Sequence, residues 1–136
     1  MSIIGIDSVT PKNIRNVMPD MYKGMAYRQL KEGDKVTIIN CTFSVYQAKK
    51  DSEPLVTKSG LPVTNVTVYF GLDDGSYTSL KNDIVTGQIA ALTGFDKENV
   101  IGQYDYSFEP ERVKVVKAKT KMGNKEVDVL AFESDL

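Results

Sequence analysis

The chain has 136 residues, of which 41% are hydrophobic and 26% charged, and its formal net charge is −1. This size and composition predict one globular domain with a single core. Because the sequence contains no histidine, a Ser-His-Asp triad, a Cys-His pair and a zinc site of cysteine and histidine ligands are all excluded. A net charge so close to zero does not by itself indicate a nucleic-acid-binding protein.

Other signals of location and chemistry are missing from the sequence. It has no apolar run of the roughly 18 residues that a membrane helix needs, and its N-terminus does not resemble a secretory signal. It has no GxxxxGK[ST] or GxGxxG phosphate-binding motif. The single cysteine, Cys41, cannot form an internal disulfide, which agrees with a reducing compartment. We therefore expect a cytoplasmic protein, located in the host cytoplasm if it is viral, with no cofactor and no enzymatic activity.

Residues 1–33 form the least regular part of the sequence. Nearly helical spacing relates Tyr22, Met25, Ala26, Tyr27 and Leu30. These residues could pack on the rest of the domain or contact a neighbouring subunit. We expect an N-terminal arm that packs on the domain. Prolines and glycines interrupt this segment at Pro11, Pro19, Gly24 and Gly33.

The first strand is predicted over residues 35–47, where apolar and polar residues alternate. The apolar side carries Ile39, Cys41, Phe43 and Val45, and the polar side carries Asn40, Thr42, Ser44 and Tyr46. The polar side should face solvent. Residues 48–60 then predict a long exposed loop that includes Lys49 and Lys50.

A hairpin follows, with strands predicted over residues 62–72 and 76–81. Asp73 and Asp74 precede Gly75 between the two strand patterns, which indicates a hairpin turn rather than a metal or catalytic site. The alternation places Tyr69, Tyr77 and Lys81 on the same exterior as Tyr46. An exposed tyrosine can stack on a nucleic-acid base, which is worth about 1–3 kcal/mol per base. The alternative is that these tyrosines simply favour strands, as aromatic residues do.

One short helix is predicted over residues 83–93. Asn82 can cap its first turn, and Gly94 lies where a helix C-cap is expected. Val85, Ile89 and Leu92 form one apolar stripe, which suggests a helix that packs against the end of a barrel. After it, Tyr104, Tyr106 and Phe108 alternate with polar residues and could form an extra edge strand.

The last hairpin is predicted over residues 112–121 and 125–132. Its lysines could attract phosphates or protect an exposed strand edge. A bulge at Val115 and Val116 would allow both sets of basic residues to face outward. Residues 133–136 form a short acidic end. The basic residues of the hairpin are Arg112, Lys114, Lys117, Lys119, Lys121 and Lys125.

Three strands, a helix and two strands is the element order of an OB-fold. We therefore predict a mainly β protein: a five-stranded OB-fold barrel over residues 34–132 with one short helix between strands 3 and 4. The segments GDKVTIINCTFSVY, VTNVTVYFGLDDGSYTSL, NDIVTGQIAALTG and RVKVVKAKTKMGNKEVDVLAF carry this order. In element order and general residue pattern they resemble the small OB-fold single-stranded DNA-binding proteins of bacteriophages.

The resemblance implies sequence-tolerant binding of single-stranded DNA during phage DNA replication or recombination. Partners would include single-stranded DNA and replication or recombination proteins, and the protein could be a homo-oligomer. Unlike better-known bacterial relatives, the chain has no tryptophan and no long glycine-rich linker before its acidic end. The family's stacking residues would fall on Tyr46, Tyr69 and Tyr77, and its phosphate contacts on Lys49, Lys50, Lys81, Lys114, Lys117 and Lys119.

Two alternatives stay open. The same barrel could be a protein-interaction or virion assembly module without nucleic-acid binding, in which case the tyrosine face would bury against another subunit. A carboxylate-dependent enzyme that uses Asp73 or Asp74 is the other alternative.

Overall fold

A computed structural model describes residues 3–9, 19–50, 53–95, 101–119 and 125–133, and for residues 3–9 and 49–50 it describes the backbone alone. The protein is mainly β, with a curled, half-barrel sheet and one α-helix among the described residues. Its elements are β1 (Ile3–Val9), a 3₁₀ turn (Asp20–Tyr22), β2 (Ala26–Tyr27), β3 (Lys35–Gln47), β4 (Lys49–Lys50), β5 (Glu53–Pro54), β6 (Thr64–Leu72), β7 (Ser76–Leu80), α1 (Asp83–Thr93), β8 (Gly102–Lys119) and β9 (Glu126–Phe132).

The large sheet has seven strands in the described residues, not the five that the sequence predicts. Its order is β1-β8-β3-β6-β7-β2, and β9 also pairs with β8. Two strands come from the predicted N-terminal arm: β1 pairs antiparallel with β8, and β2 pairs parallel with β7. The helix consequently follows the fifth strand of this sheet and not the third. The predicted boundaries of the N-terminal segment (1–33), the domain (34–132) and the acidic end (133–136) stay predictions.

Strand β8 is much longer than predicted and lies inside the sheet. It pairs with β1 and β3 along its first part and with β9 along its last part. The expected edge strand at Tyr104–Phe108 and the first strand of the last hairpin are therefore one continuous strand. Because β8 is paired on both sides at Lys114, edge protection does not explain this lysine.

The core lies on the inner side of the curled sheet. Phe43 stacks on Phe95 with a centroid distance of 3.9 Å, and Tyr106 packs edge-on against Phe43 at 5.6 Å. From α1, Val85 and Ile89 reach the same cluster, as the apolar stripe predicts. Other buried members are Val36, Ile38, Cys41, Val45, Val68, Phe70, Leu72, Val113, Val115, Leu130 and Phe132.

Helix α1 has the predicted caps and also covers a strand edge. Asn82 Oδ1 accepts a hydrogen bond from the Val85 amide (2.8 Å), and Gly94 ends the helix with φ +79°. The Gln88 side chain donates to the Leu130 carbonyl (2.7 Å) and accepts from the Leu130 amide (3.2 Å). These bonds occupy the outer edge of β9, which protects it from pairing with another chain. In the described ranges, no helix is long and apolar enough to cross a membrane.

Residues 53–63 form part of an ordered hairpin in place of the predicted loop, and we call them the arm. β4 pairs with β5, and a further bridge joins Val56 to Pro62. Backbone hydrogen bonds join Ala48 to Val63 (2.8 Å) and Thr57 to Leu61 (2.7 Å). The arm is therefore held to the end of β3 by its own ladder, and its side chains stay largely exposed.

Candidate nucleic-acid interface

The outer face of the sheet, which points away from the core, carries the three predicted stacking residues. Residues directly opposite each other in neighbouring strands share a face. Tyr69 lies opposite Ser79, which is two residues beyond Tyr77 on β7. Tyr46 lies opposite Asn65, four residues before Tyr69 on β6. The register therefore places the three tyrosines on one face, as the alternation predicts, and Lys81 follows the same alternation.

The expected exposure of these rings is wrong for two of the three. Tyr46 is only 8% exposed and Tyr69 only 7%, whereas Tyr77 is half-buried. The centre of the outer face is buried as well: Thr42 is inaccessible and donates a hydrogen bond to Asp105 Oδ1 at 2.6 Å. Tyr46 and Tyr69 are thus not open platforms for a base in this conformation.

Tyr22, from the 3₁₀ turn, covers part of this face. Its ring stacks on Tyr69 at 6.0 Å and on Tyr77 at 5.5 Å, and it is 1% exposed. Its hydroxyl donates to Asn40 Oδ1 at 2.9 Å. Burial raises the pKa of the Tyr22 hydroxyl well above its usual value. The ring therefore lies where the sequence predicts space for a ligand.

Asn40 connects Tyr22 to the sheet. Its Oδ1 also accepts a hydrogen bond from the Gly71 amide at 3.0 Å. A Cβ atom at residue 71 would overlap the Asn40 amide group, so the close approach requires glycine. Tyr22, Asn40 and Gly71 therefore form one packed unit that fixes the 3₁₀ turn on the outer face.

Tyr46 is engaged by two neighbours at the other end of the face. Its hydroxyl lies 3.2 Å from Thr67 Oγ1. Lys81 Nζ lies 5.6 Å from the centre of its ring, within the range of a cation–π contact. Lys81 itself is exposed. A predicted phosphate contact and a predicted stacking residue are thus adjacent, although the ring is mostly covered.

The lysines of the last hairpin do not all share one face. The β8–β9 register runs without a shift from Val113 to Lys119, so the expected bulge at Val115 and Val116 is absent from these described residues. Lys114 therefore points to the outer face, whereas Lys117 and Lys119 alternate onto the opposite one. Lys117 Nζ also lies 2.7 Å from Asp128 Oδ1, and this hydrogen bond raises the pKa of Lys117.

Lys49 and Lys50 belong to β4, opposite Pro54 and Glu53. This places their backbone just beyond Gln47, the last residue of the strand that carries Tyr46. Their side chains lie outside the described part of the structure.

Two residues outside the predicted binding set are prominent on the outer face. Tyr27 is 54% exposed, and its ring packs edge-on against Tyr77 at 5.4 Å. We call Tyr27 and Tyr77 the aromatic pair. Lys35 lies directly opposite Lys114 across the β3–β8 ladder, and we call these two residues the lysine pair. The near-helical spacing that includes Tyr27 predicts packing and not exposure, and β2 has only two residues, too few for a strand pattern.

The side chain of Asp74 stabilises the β6–β7 turn. Asp74 accepts hydrogen bonds from the Ser76 hydroxyl and amide, and it pairs with Arg28 at 3.1 Å. The bonds from Ser76 and the Arg28 charge lower the pKa of Asp74. Gly75 has φ +87°, as a tight hairpin turn requires. In the described residues, no group of three or more histidine, cysteine, aspartate or glutamate side chains could hold a metal ion.

The outer face therefore has a buried centre with more accessible groups around it: Tyr27 beside the half-buried Tyr77, Lys81 and the lysine pair. Chemically, such groups can stack on planar rings and attract anions. Comparison with protein-family models, curated proteins and solved structures gives no match to this chain.

Proposed function

We propose that the protein binds single-stranded DNA without strong sequence preference, through exposed groups around the outer face. The observation that carries the proposal is the aromatic pair, whose outer ring, Tyr27, is 54% exposed on the face that also presents Lys81 and Lys114. In this proposal β3, β6, β7, β8 and β9 correspond to an OB-like core. The helix between β7 and β8 keeps the OB element order, and β1 and β2 are additions.

The aromatic pair is suited to hold a base. Tyr27 packs on Tyr77, which in turn stacks on Tyr22, so three rings support one another. The Arg28 amide donates to the Tyr77 carbonyl at 2.8 Å, which fixes the backbone beside Tyr27. A pre-positioned ring loses little conformational entropy when a base stacks on it. The stacking site is therefore proposed at Tyr27 and Tyr77, with Tyr46 and Tyr69 supporting the face.

Lysines on the outer face and next to it would contact phosphates. Lys81 and Lys114 lie on the outer face. Lys49 and Lys50 come shortly after Tyr46 in the chain, just beyond the end of β3. Each phosphate contact with a single strand changes the slope of log affinity against log salt by about −0.7. Lys117 is paired with Asp128 and points away from this face, so we leave it and Lys119 out of the interface. The proposed setting is phage DNA replication or recombination in the host cytoplasm, with no cofactor.

We expect wild-type protein to bind a fluorescent oligo-dT strand at low salt and to lose affinity steeply as salt increases. Tyr27→Ala should weaken binding by about 5- to 150-fold, the equivalent of one lost stacking contact. Fluorescence anisotropy titration measures both effects. Leu61→Ala is the control, because Leu61 is also exposed but lies on the arm, and its affinity should equal wild type. Absence of binding at low salt, or full affinity in Tyr27→Ala, contradicts the proposal.

The arm favours a second candidate function, a protein-interaction or assembly module. Val56 is 59% and Leu61 64% exposed, and they flank the turn at residues 57–60. The Leu61 amide donates to Thr57 Oγ1 at 3.1 Å, so the exposed apolar groups sit on an ordered hairpin. Such side chains on a fixed scaffold suit burial against another protein surface.

If assembly is the function, wild-type protein should form an oligomer that is insensitive to salt and lacks affinity for oligo-dT. Val56→Lys combined with Leu61→Lys should then give monomers, because charge at these positions opposes burial. Size-exclusion chromatography with light scattering measures the mass. Tyr27→Lys is the matched control on the outer face. A wild-type monomer at high protein concentration would eliminate self-assembly through the arm.

A further inference from the structure

The lysine pair places two like charges directly opposite each other. Lys35, the first residue of β3, pairs with Lys114 of β8, and both side chains are exposed. The next rung joins Val36 to Val113, which are both buried. Since side chains alternate between faces, the two lysines project together from the outer face. Like charges in this position destabilise a sheet.

The backbone around the lysine pair cannot separate the two charges. The Gly33 amide donates to the Val115 carbonyl at 2.8 Å, and the Val115 amide donates to the Asp34 carbonyl at 2.9 Å. The strands are thus hydrogen-bonded on one side of the pair and packed into the core on the other. Only side-chain rotation can relieve the repulsion.

The described acidic group at this corner pairs with Arg112 and not with either lysine. Glu133 lies 3.5 Å from Arg112 Nε, and Arg112 occupies the same face two residues before Lys114. Among the described residues, neither Lys35 nor Lys114 forms an ion pair. Within the described ranges, the corner thus presents two ammonium groups without an ionic partner beside the Arg112 guanidinium, which is paired with Glu133.

We propose that the lysine pair is a phosphate site, in which both ammonium groups bind one phosphate of a polynucleotide backbone. This inference rests on the proposed function, since it names the chemical group held at this corner of the interface. An anion between the lysines removes their repulsion, so binding there gains attraction and also relieves the cost of the unliganded pair. Free phosphate has the same chemistry, and the experiment separates the two sources.

The test uses Lys35→Gln, Lys114→Gln and the double variant, with Lys58→Gln as the control. Lys58 is exposed on the arm, so its substitution removes one charge, as each single variant does, without touching the corner. In oligo-dT titrations over a salt series, the double variant should bind more weakly at low salt. The magnitude of its slope of log affinity against log salt should fall by about 0.7, the share of one phosphate contact. Lys58→Gln should keep the wild-type slope.

The ligand-free proteins provide a second readout. At about 10 mM ionic strength, where the Debye length is about 30 Å, either single variant should melt about 1–3 °C above wild type. The difference should vanish near 1 M salt, where that length is about 3 Å. Inorganic phosphate should raise the melting temperature of wild type more than that of the double variant.

The outcomes separate this inference from the proposed function. If oligo-dT binds wild type and the double variant with equal affinity and slope, the phosphate site is refuted and DNA binding stands. If wild type does not bind oligo-dT but phosphate stabilises it through the lysine pair, DNA binding is refuted and the pair is a site for free phosphate. If neither probe distinguishes the double variant from wild type, the site is refuted.

Discussion

Replacing Tyr22 with alanine is expected to lower the free energy of unfolding by about 3–5 kcal/mol, the usual cost of removing a buried aromatic side chain. Tyr22 is 1% exposed and stacks on both Tyr69 and Tyr77. Its loss would leave a cavity between the 3₁₀ turn and the outer face. Urea denaturation measures the effect. Unfolding is monitored by circular dichroism, because the chain has no tryptophan whose fluorescence could report it.

Tyr22→Phe is the matched control for this substitution. It keeps the stacked ring and removes only the hydroxyl that donates to Asn40. The expected loss is about 0.5–1.5 kcal/mol, the net value of a hydrogen bond, since Asn40 still accepts from the Gly71 amide. An alanine variant no less stable than the phenylalanine variant would show that the Tyr22 ring does not pack on this face in solution.

Replacing Phe43 with alanine should cost a similar amount, about 3–5 kcal/mol. Phe43 is fully buried and joins β3 to Phe95, which directly follows the C-cap of α1. Its ring also meets Tyr106 of β8 at nearly a right angle. The substitution therefore removes contacts between the helix end and two strands at once. The measurement is again the free energy of unfolding in urea.

Two controls bracket the Phe43 result. Phe43→Leu retains most of the apolar volume and should cost clearly less than the alanine variant. Val56→Ala removes an exposed side chain on the arm and should change stability by no more than about 0.5 kcal/mol. If Phe43→Ala behaved like Val56→Ala, the stack between Phe43 and Phe95 would not be part of the core.

Elements with strong local signals could be predicted closely from the sequence. The strand predicted over residues 35–47 and the helix predicted over residues 83–93 have the bounds of β3 and α1. Alternation identifies a strand and its two faces, and Asn82 and Gly94 mark the helix ends through bonds within a few residues. These signals are local, so they do not depend on which distant segments meet.

The candidate site depends more on long-range contacts. Local patterns placed Tyr46, Tyr69, Tyr77 and Lys81 on one face. They could not show that Tyr22, 47 residues before Tyr69 in the chain, would cover part of it. A two-residue strand such as β2 has no periodicity to detect, so the exposure of Tyr27 beside Tyr77 was invisible as well. Which side a residue faces is a local property, but whether that side is covered is not.

The amino-acid pattern was enough to establish that the protein is mainly β and where its main strand and helix lie, because strand and helix periods arise from local backbone geometry. It did not reveal the irregularity between Ile38 and Asn40, where Ile38 and not Ile39 enters the core. Long-range packing was needed to show that β8 lies inside the sheet between β1 and β3, that Lys35 faces Lys114, and that Tyr46 and Tyr69 are buried. Pairing register and burial arise from contacts between segments far apart in the chain. They are settled by the packing of the whole domain and not by the pattern of any one strand.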